Sequence, residues 1–166
     1  MYKKNSDYNF YQKEDAASIQ YSDGSETEDK LYDIILSVED KSVLSEELKK
    51  RISDWPTEYH FSRRRHCLLR PLDIKPGDRV LELGCGCGAI TRYLGESGAI
   101  VDSVEGTFSR ARIAGERCKD LPNVKIHVDN FLDFTSSEKY DWVLFIGVLE
   151  YAPLFSDSAD PIGSYL

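Results

Sequence analysis

Short apolar runs alternate with amphipathic segments over the second half of the chain. The runs predict four strands, at Arg79–Leu83, Ile100–Glu105, Val124–Val128 and residues 142–146. Between the first three runs, apolar positions recur at helical spacing and predict helices over Ala89–Glu96 and residues 108–118. Strands that alternate with helices are typical of βαβ units. The pattern therefore predicts an α/β fold with a mostly parallel sheet.

The first part of the chain, residues 1–56, is polar and acidic and predicts covering helices. Apolar residues recur at helical spacing from Leu31 to Val38, which predicts a first helix. A second helix is predicted with Ser45 as its N-cap and Pro56 as its stop. Its buried stripe would consist of Leu48, Ile52 and Trp55. A third helix is predicted across residues 60–69, and we expect these helices to pack on the sheet of a core formed by residues 57–166.

Composition and charge exclude several classes of protein. The 166 residues carry a formal net charge of -8, whereas nucleic-acid-binding proteins usually present a basic face. No apolar run is long enough to span a bilayer, and no signal peptide opens the chain. The four cysteines match neither a disulfide framework nor a paired zinc site. We therefore expect a cytoplasmic protein with free cysteines, no bound metal, no nucleic-acid partner and no membrane span.

Three glycines follow the first predicted strand at every second position: Gly84, Gly86 and Gly88. Glycine costs backbone entropy and adds no side chain to a core, so this run indicates that something approaches the main chain closely. The next helix turns its positive N-terminus to the same place, which suits an anionic group. Glu105 ends the following strand, where a carboxylate accepts hydrogen bonds from ribose hydroxyls. Loop and carboxylate together indicate a nucleoside with an anionic tail.

Two nucleoside cofactors agree with this loop. Gly84, Gly86 and Ala89 satisfy the dinucleotide pattern G-x-G-x-x-G/A, which leaves an NAD-dependent oxidoreductase open. Glu82 argues against NAD, because a carboxylate beside a pyrophosphate is unfavourable, whereas it suits the ammonium of an amino acid. S-adenosylmethionine carries an amino-acid tail and a ribose with free hydroxyls, so it fits better. A non-catalytic nucleotide-binding or interaction module with the same fold is a third alternative.

Four segments in order resemble the motifs of the class I S-adenosylmethionine-dependent methyltransferases. The first motif is similar to ELGCGCG, the second to VEGTFSRARIA, the third to HVDNFLDF and the fourth to YDWVLFIGVLEYA. The resemblance implies a Rossmann-like, doubly wound sheet, S-adenosylmethionine as cofactor and S-adenosylhomocysteine as product. The cofactor-binding residues that it implies are Glu82, Gly84, Cys85, Gly86, Gly88, Glu105, Gly106, Asp129, Asn130, Phe131, Ile146 and Gly147.

A narrower likeness concerns the segment from Asp54 to Leu72 and the stretch AITRYLGE. Both resemble methyltransferases encoded beside, or fused to, glycosyltransferases in bacterial surface-polysaccharide clusters. This likeness implies O-methylation of a sugar-containing or other small-molecule acceptor, and a glycosyltransferase as a partner. It also implies that His60 and Arg65 lie near the methionine carboxylate. The run of arginines at 63–65 would otherwise be a solvated helix face.

Methyl transfer to a hydroxyl requires a positioned acceptor and a base that takes its proton. Glu150, just after the fourth predicted strand, is the candidate catalytic residue. A polar loop residue or a substrate hydrogen-bonder is the alternative role for Glu150.

The resemblance covers the N-terminal portion of the family's fold only. A class I methyltransferase has seven strands in the order 3-2-1-4-5-7-6, and the sequence predicts the first four, so the sheet would be truncated after an edge strand. The run YDWVLFIGVL in that strand is apolar and lacks the lysines and prolines that protect an edge. We expect a homodimer contact, a partner chain or the N-terminal helices to cover this edge, and we expect little methyl transfer from these residues alone.

Overall fold

A computed structural model of the chain describes residues 1–13, residues 24–149, residue 160 and residue 163. Its strands are β1 Lys3–Lys4, β2 Tyr11–Gln12, β3 Arg79–Leu83, β4 Ile100–Glu105, β5 Val124–Val128 and β6 Trp142–Phe145. They form one sheet in the order β1-β2-β5-β4-β3-β6. All neighbouring strands run parallel except β1 and β2. The predicted α/β fold with a mostly parallel, Rossmann-like sheet is confirmed.

Five α-helices and one 3-10 helix accompany the sheet in the described residues. They are α1 Ser25–Ser37, α2 Glu46–Lys50, α3 Trp55–Phe61, the 3-10 helix Arg65–Leu68, α4 Ala89–Glu96 and α5 Phe108–Arg117. The predicted bounds of β3, β4, β5 and α4 agree with the structure to the residue. The strand β6 and the helix α5 each end one residue earlier than predicted.

The order of the strands reverses at β3. From β3 the chain proceeds to β4 and then β5, which lie to one side of β3 within the sheet. It then returns to β6, on the other side of β3. At such a reversal the loops after the two central strands diverge and leave a crevice at the carboxyl ends of the strands. The glycine loop follows β3, so it opens on that crevice.

Two short strands lie in the N-terminal region, for which the sequence predicts helices alone. The strand β2 pairs with β5, with Tyr11 opposite His127, and β1 pairs with β2. We call residues 1–13 the N-terminal hairpin. Phe10 of this hairpin is fully buried, and its ring lies 5.3 Å from that of Phe108 on α5. A strand of two residues is too short to show an alternating pattern, so the sequence could not reveal it.

The helices before the core differ from the prediction at Pro56. Ser45 caps α2 as predicted, but α2 ends at Lys50. Asp54 and Thr57 form a capping box at the start of α3, and Pro56 lies in the first turn of α3. Proline is tolerated there because its missing N–H would have no partner within the helix. Trp55 is consequently 69% exposed and not part of a buried stripe, and α3 and the 3-10 helix replace the single helix predicted over residues 60–69.

The helix α1 packs on another helix, and the prediction that it packs on the sheet is wrong. Leu31 and Ile35 of α1 share a buried cluster with Ile113 of α5 and with Cys87 of the glycine loop. Buried Glu28 of α1 pairs with Arg110 of α5 at 3.3 Å. Because α5 packs on β5 and β4, α1 forms an outer layer over it.

The strand β6 forms one edge of the sheet within the described residues, which confirms the predicted edge. It pairs with β3 alone, and its Val143 is 52% exposed. The helix α1 does not supply the expected cover, because it lies on α5. Among the residues described, no helix combines the length and apolar character needed to cross a membrane.

Candidate functional site

The carboxyl ends of four parallel strands bring four predicted segments to one edge of the sheet. The glycine loop follows β3, Glu105 ends β4, Asp129 follows β5, and Ile146 and Gly147 follow β6. Glu105 lies opposite Val128 in the ladder, so Asp129 is one position beyond it. Open parallel sheets bind their ligands at this edge.

The three glycines of the loop all have positive φ angles, but their surroundings differ. A Cβ at Gly84 would lie 2.3 Å from Cγ2 of Val148, and a Cβ at Gly88 would lie 3.0 Å from Cα of Ala114. At Gly86, apart from its chain neighbours, none of the described residues has an atom within 4 Å of that position. Gly84 and Gly88 therefore allow protein to pack against the loop, whereas Gly86 leaves room for a ligand against the main chain.

Glu105 connects the end of β4 to the glycine loop. Its Oε2 accepts a 2.7 Å hydrogen bond from the backbone N–H of Gly86. Its Oε1 accepts hydrogen bonds from the backbone N–H of Thr107 at 3.0 Å and from the Thr107 hydroxyl at 2.7 Å. The half-buried Gly106 lies between the two residues. The carboxylate is thus fixed beside Gly86, in a position to accept further hydrogen bonds from a ligand over the loop.

Glu82 of β3 lies beneath the loop and is 2% exposed. Its Oε2 accepts hydrogen bonds from the Thr91 hydroxyl of α4 at 2.6 Å and from the Ser103 hydroxyl of β4 at 2.8 Å. Burial raises the pKa of Glu82 to about 7, against these hydrogen bonds, which lower it. A nearby cation would favour the ionised form, because opposite charges attract strongly in a buried site.

His60 and Arg65 lie on the helices that flank the loop. His60 is buried, and its Nε2 lies 3.8 Å from Sγ of Cys87. The guanidinium of Arg65 lies 4.1 Å from the centre of the Tyr59 ring, and its charge acts to lower the pKa of Glu82. Its Nε is buried without a hydrogen-bond partner among the residues that the structure describes. A guanidinium and a carboxylate on elements around the same loop suit the two charged groups of an amino acid.

The arginine run does not form one solvated helix face. Arg63 forms an ion pair with Glu46 at 2.5 Å, Arg64 is exposed, and Arg65 begins the 3-10 helix. The three side chains therefore have different surroundings, and of the three it is Arg65 whose charge acts on Glu82.

Asp129 is almost completely buried, at 5% exposure, and its carboxylate binds two residues of the N-terminal hairpin. The Tyr2 hydroxyl donates a hydrogen bond to Oδ2 of Asp129, and Nζ of Lys13 lies 2.6 Å from the same oxygen. Asn130 and Phe131 follow in a half-buried turn, in which Oδ1 of Asn130 accepts a hydrogen bond from the backbone of Leu132. The site at the end of β5 thus includes side chains from the hairpin.

The remaining predicted residues lie around the same edge. The Phe131 ring meets the Phe145 ring edge to face, with centroids 6.1 Å apart, and Ile146 packs against the main core. Gly147 has a φ of 70°, a conformation that favours glycine. Glu150, the candidate catalytic residue, lies outside the described residues.

Three cysteines lie buried at or near the loop: Cys85, Cys87 and Cys118. All four cysteines of the chain are free. Burial raises the pKa of the Cys87 and Cys118 thiols to about 12 and that of Cys85 well above its ordinary value. Within the described ranges, no three His, Cys, Asp or Glu residues cluster as a metal site would require.

Five residues of the site were not predicted from the sequence. Ser103 precedes Glu105 by two positions and therefore lies on the same face of β4, which is a signal that the sequence contains. Thr91 lies in the first turn of α4, and Thr107 precedes α5, where a threonine is usually an N-cap; here its hydroxyl binds Glu105 instead. Tyr2 and Lys13 reach the site only through the hairpin, for which no sequence signal exists.

Part of the chain is similar in sequence to proteins named as methyltransferases and to a cyclopropane-fatty-acyl-phospholipid synthase. It is 37% identical over 65 residues, 39% of this chain, to "Ribosomal RNA small subunit methyltransferase A" of Thermotoga neapolitana, of which it covers 25%. It is 31% identical over 81 residues, 48% of this chain, to the cyclopropane-fatty-acyl-phospholipid synthase of Escherichia coli K12, of which it covers 20%. The chain thus spans about a quarter or less of the length of these curated relatives.

Among solved structures, the chain is similar to a SAM-dependent methyltransferase from Geobacter sulfurreducens in complex with S-adenosyl-L-homocysteine. The TM-score is 0.49 at 17% identity, over 82% of this chain and 49% of the other. No family model matches the chain.

Proposed function

We propose that the chain binds S-adenosylmethionine and forms the cofactor-binding part of a methyltransferase. The observation that carries this proposal is the open space at Gly86, beside which the Glu105 carboxylate is fixed by the Gly86 N–H. This arrangement suits a ribose that lies over the loop and donates its hydroxyls to Glu105. The sequence similarity to named methyltransferases supports the same activity.

The residues around the loop fit the two ends of that cofactor. Buried Glu82 would accept the ammonium of the amino-acid tail, and Arg65, whose Nε lacks a partner among the described residues, would bind its carboxylate beside His60. Asp129, with Asn130 and Phe131, would border the nucleobase. The cofactor supplies an electrophilic methyl group when bound. The chain would orient it, because Glu82 and Asp129 bind its two ends on either side of the loop backbone.

The same cofactor site is compatible with several classes of methyl acceptor. The likeness to glycosyltransferase-associated enzymes favours a hydroxyl of a sugar-containing acceptor, with Glu150 as the base that takes its proton and a glycosyltransferase as a partner. The names of the sequence relatives point to other acceptors, ribosomal RNA and fatty-acyl phospholipid. The net charge of -8 disfavours RNA, since like charges repel its phosphates. Methyl-transfer assays of the protein with sugar, lipid and RNA acceptors distinguish these classes.

The cofactor assignment is tested by calorimetric titration with S-adenosylhomocysteine and with NAD. We expect S-adenosylhomocysteine to bind, and Glu105→Ala to weaken its binding by about 1.5–3 kcal/mol, the usual loss for hydrogen bonds to a charged group. Glu58→Ala, which removes an exposed carboxylate from α3, is the control and should bind like the unmodified protein. Preferential binding of NAD, or an unchanged dissociation constant for Glu105→Ala, would contradict the proposal.

A further inference from the structure

The N-terminal hairpin is attached to the sheet mainly by side chains. Its backbone ladder has two residue pairs between β2 and β5 and two between β1 and β2. Around this short ladder, the Tyr2 ring packs on His127 and Phe134, with centroids 5.1 Å and 5.5 Å apart. An isolated two-stranded hairpin is marginal in water, so these contacts, together with buried Phe10, hold the hairpin on the sheet.

Two polar contacts of the hairpin converge on Asp129. Gln12 lies opposite Val128 in the ladder, so Lys13 comes next to Asp129 at the carboxyl edge of the sheet. Nζ of Lys13 lies 2.6 Å from Oδ2 of Asp129 and donates a 2.7 Å hydrogen bond to the backbone oxygen of Asp133. The Tyr2 hydroxyl donates to the same Oδ2. Burial and this hydrogen bond raise the pKa of Tyr2 to about 12, so the hydroxyl keeps its proton at neutral pH.

These contacts place the hairpin where a nucleobase would need Asp129. The residue is 5% exposed, and both donors to its Oδ2 come from residues 1–13. Both donors bind Oδ2, which leaves Oδ1 as an acceptor, but the Asp129 side chain is only 6% exposed. A base amine therefore reaches this carboxylate only if the hairpin moves away from it. A charged donor makes a stronger hydrogen bond than a neutral amine, so the ligand does not displace the hairpin without cost.

We propose that Tyr2, Lys13 and Asp129 form a latch that holds the N-terminal hairpin on the sheet, and that nucleoside binding at Asp129 and the closed latch exclude each other. This inference rests on the proposed function for the identity of the ligand. The apparent affinity for the nucleoside then equals the affinity of the open form multiplied by the fraction of molecules in which the latch is open. Removal of the two donors raises the apparent affinity by the inverse of this fraction.

The experiment combines two readouts on the full chain. The double variant Tyr2→Phe with Lys13→Met removes both donors while it keeps the ring and most of the side-chain volume. We expect it to bind S-adenosylhomocysteine about tenfold more tightly than the unmodified protein, for a latch that is open in roughly a tenth of molecules. Lys4→Met is the matched control, because it removes an exposed lysine from the same hairpin and should leave the affinity unchanged.

Hydrogen exchange of residues 1–13, followed by mass spectrometry, reports on the hairpin without a ligand. We expect exchange of this segment to be faster in the double variant than in the Lys4→Met control, and to accelerate in the unmodified protein on addition of S-adenosylhomocysteine. Equal or weaker binding by the double variant, or a segment that stays protected at saturating ligand, would overturn the competition. If none of the proteins binds the ligand, the proposed function and the competition both fail, whereas unchanged exchange in the double variant refutes the latch alone.

Discussion

Glu82 carries the most unfavourable charge of the site, because it is buried under the loop with two hydroxyls as its hydrogen-bond donors. Its pKa of about 7 lies above the ordinary value of 4.5. Between these values the folded chain keeps a proton that the unfolded chain has lost, so stability falls as the pH rises through this window. The loss amounts to about 3 kcal/mol above pH 7.

Glu82→Gln should remove this dependence on pH. The variant keeps an acceptor for Thr91 and Ser103 but has no charge to bury, so its unfolding free energy should decline less between pH 5 and pH 8, by about 3 kcal/mol. Urea unfolding at several pH values measures this, with Glu58→Gln as the exposed control. Glu82→Gln should also weaken the binding of S-adenosylhomocysteine, because it removes the carboxylate that pairs with the ammonium of the ligand. Parallel pH curves for Glu82→Gln and the unmodified protein would show that the buried carboxyl is not the source.

The sequence was sufficient at the residue scale where a side chain's role follows from its place on a strand. Glu105 was predicted because it ends a strand next to the glycine loop, and the structure places its carboxylate on Gly86. Tyr2 and Lys13 could not be predicted, since they reach Asp129 through the pairing of β2 with β5, and Tyr2 lies 127 positions from Asp129. Pairings over such distances leave no local pattern in a sequence.

At the scale of elements, the glycine loop separates space for a ligand from space for packing. A Cβ at Gly86 meets no atom within 4 Å beyond its chain neighbours in the described part of the chain, so Gly86→Ala should cost only the strain of its φ of 55°, about 1–2 kcal/mol. Gly88→Ala adds a close contact with Ala114 and should destabilise by roughly 1–3 kcal/mol more. Thermal and urea unfolding of the two variants compare these costs.

For ligand binding, in contrast to folding, Gly86 should be the sensitive position of this loop. Gly86→Val should abolish binding of S-adenosylhomocysteine while the protein stays folded, because the branched side chain occupies the open space. Circular dichroism and titration on one sample measure both properties. Retained binding would mean that the ligand does not approach Gly86.

Elements with a strong local pattern were predicted to the residue, and those with an ambiguous signal were not. The strands β3, β4 and β5 are short buried apolar runs followed by turns, and their bounds agree with the structure. Pro56 is compatible both with the end of α2 and with the first turn of α3, and the capping box of Asp54 and Thr57 decides for α3. The residues of the capping box can be seen in the sequence, but whether they start a helix depends on how the following helix packs.

At the scale of the whole molecule, the edge strand β6 predicts self-association. Within the described residues this apolar strand pairs with β3 alone, and its Val143 is 52% exposed. We expect the chain to associate at micromolar concentration through this edge, and Val143→Lys to reduce association without loss of stability, because the residue is exposed in the monomer. Leu36→Lys, also at an exposed position but on α1, is the control. Light scattering that shows a monomer for all three proteins would contradict this expectation.

The pairing of β2 with β5 also has a consequence for synthesis on the ribosome. Residues 1–13 are translated before the rest of this chain, yet the groups that hold them lie as many as 127 positions later. At about 5–20 residues per second, roughly 6–25 seconds pass before Asp129 exists to receive Tyr2. During that interval the nascent segment has no strand to join, while β3, α4 and β4 can assemble from neighbouring residues. Residues 1–13 therefore join the sheet only after β5, although they are translated before it.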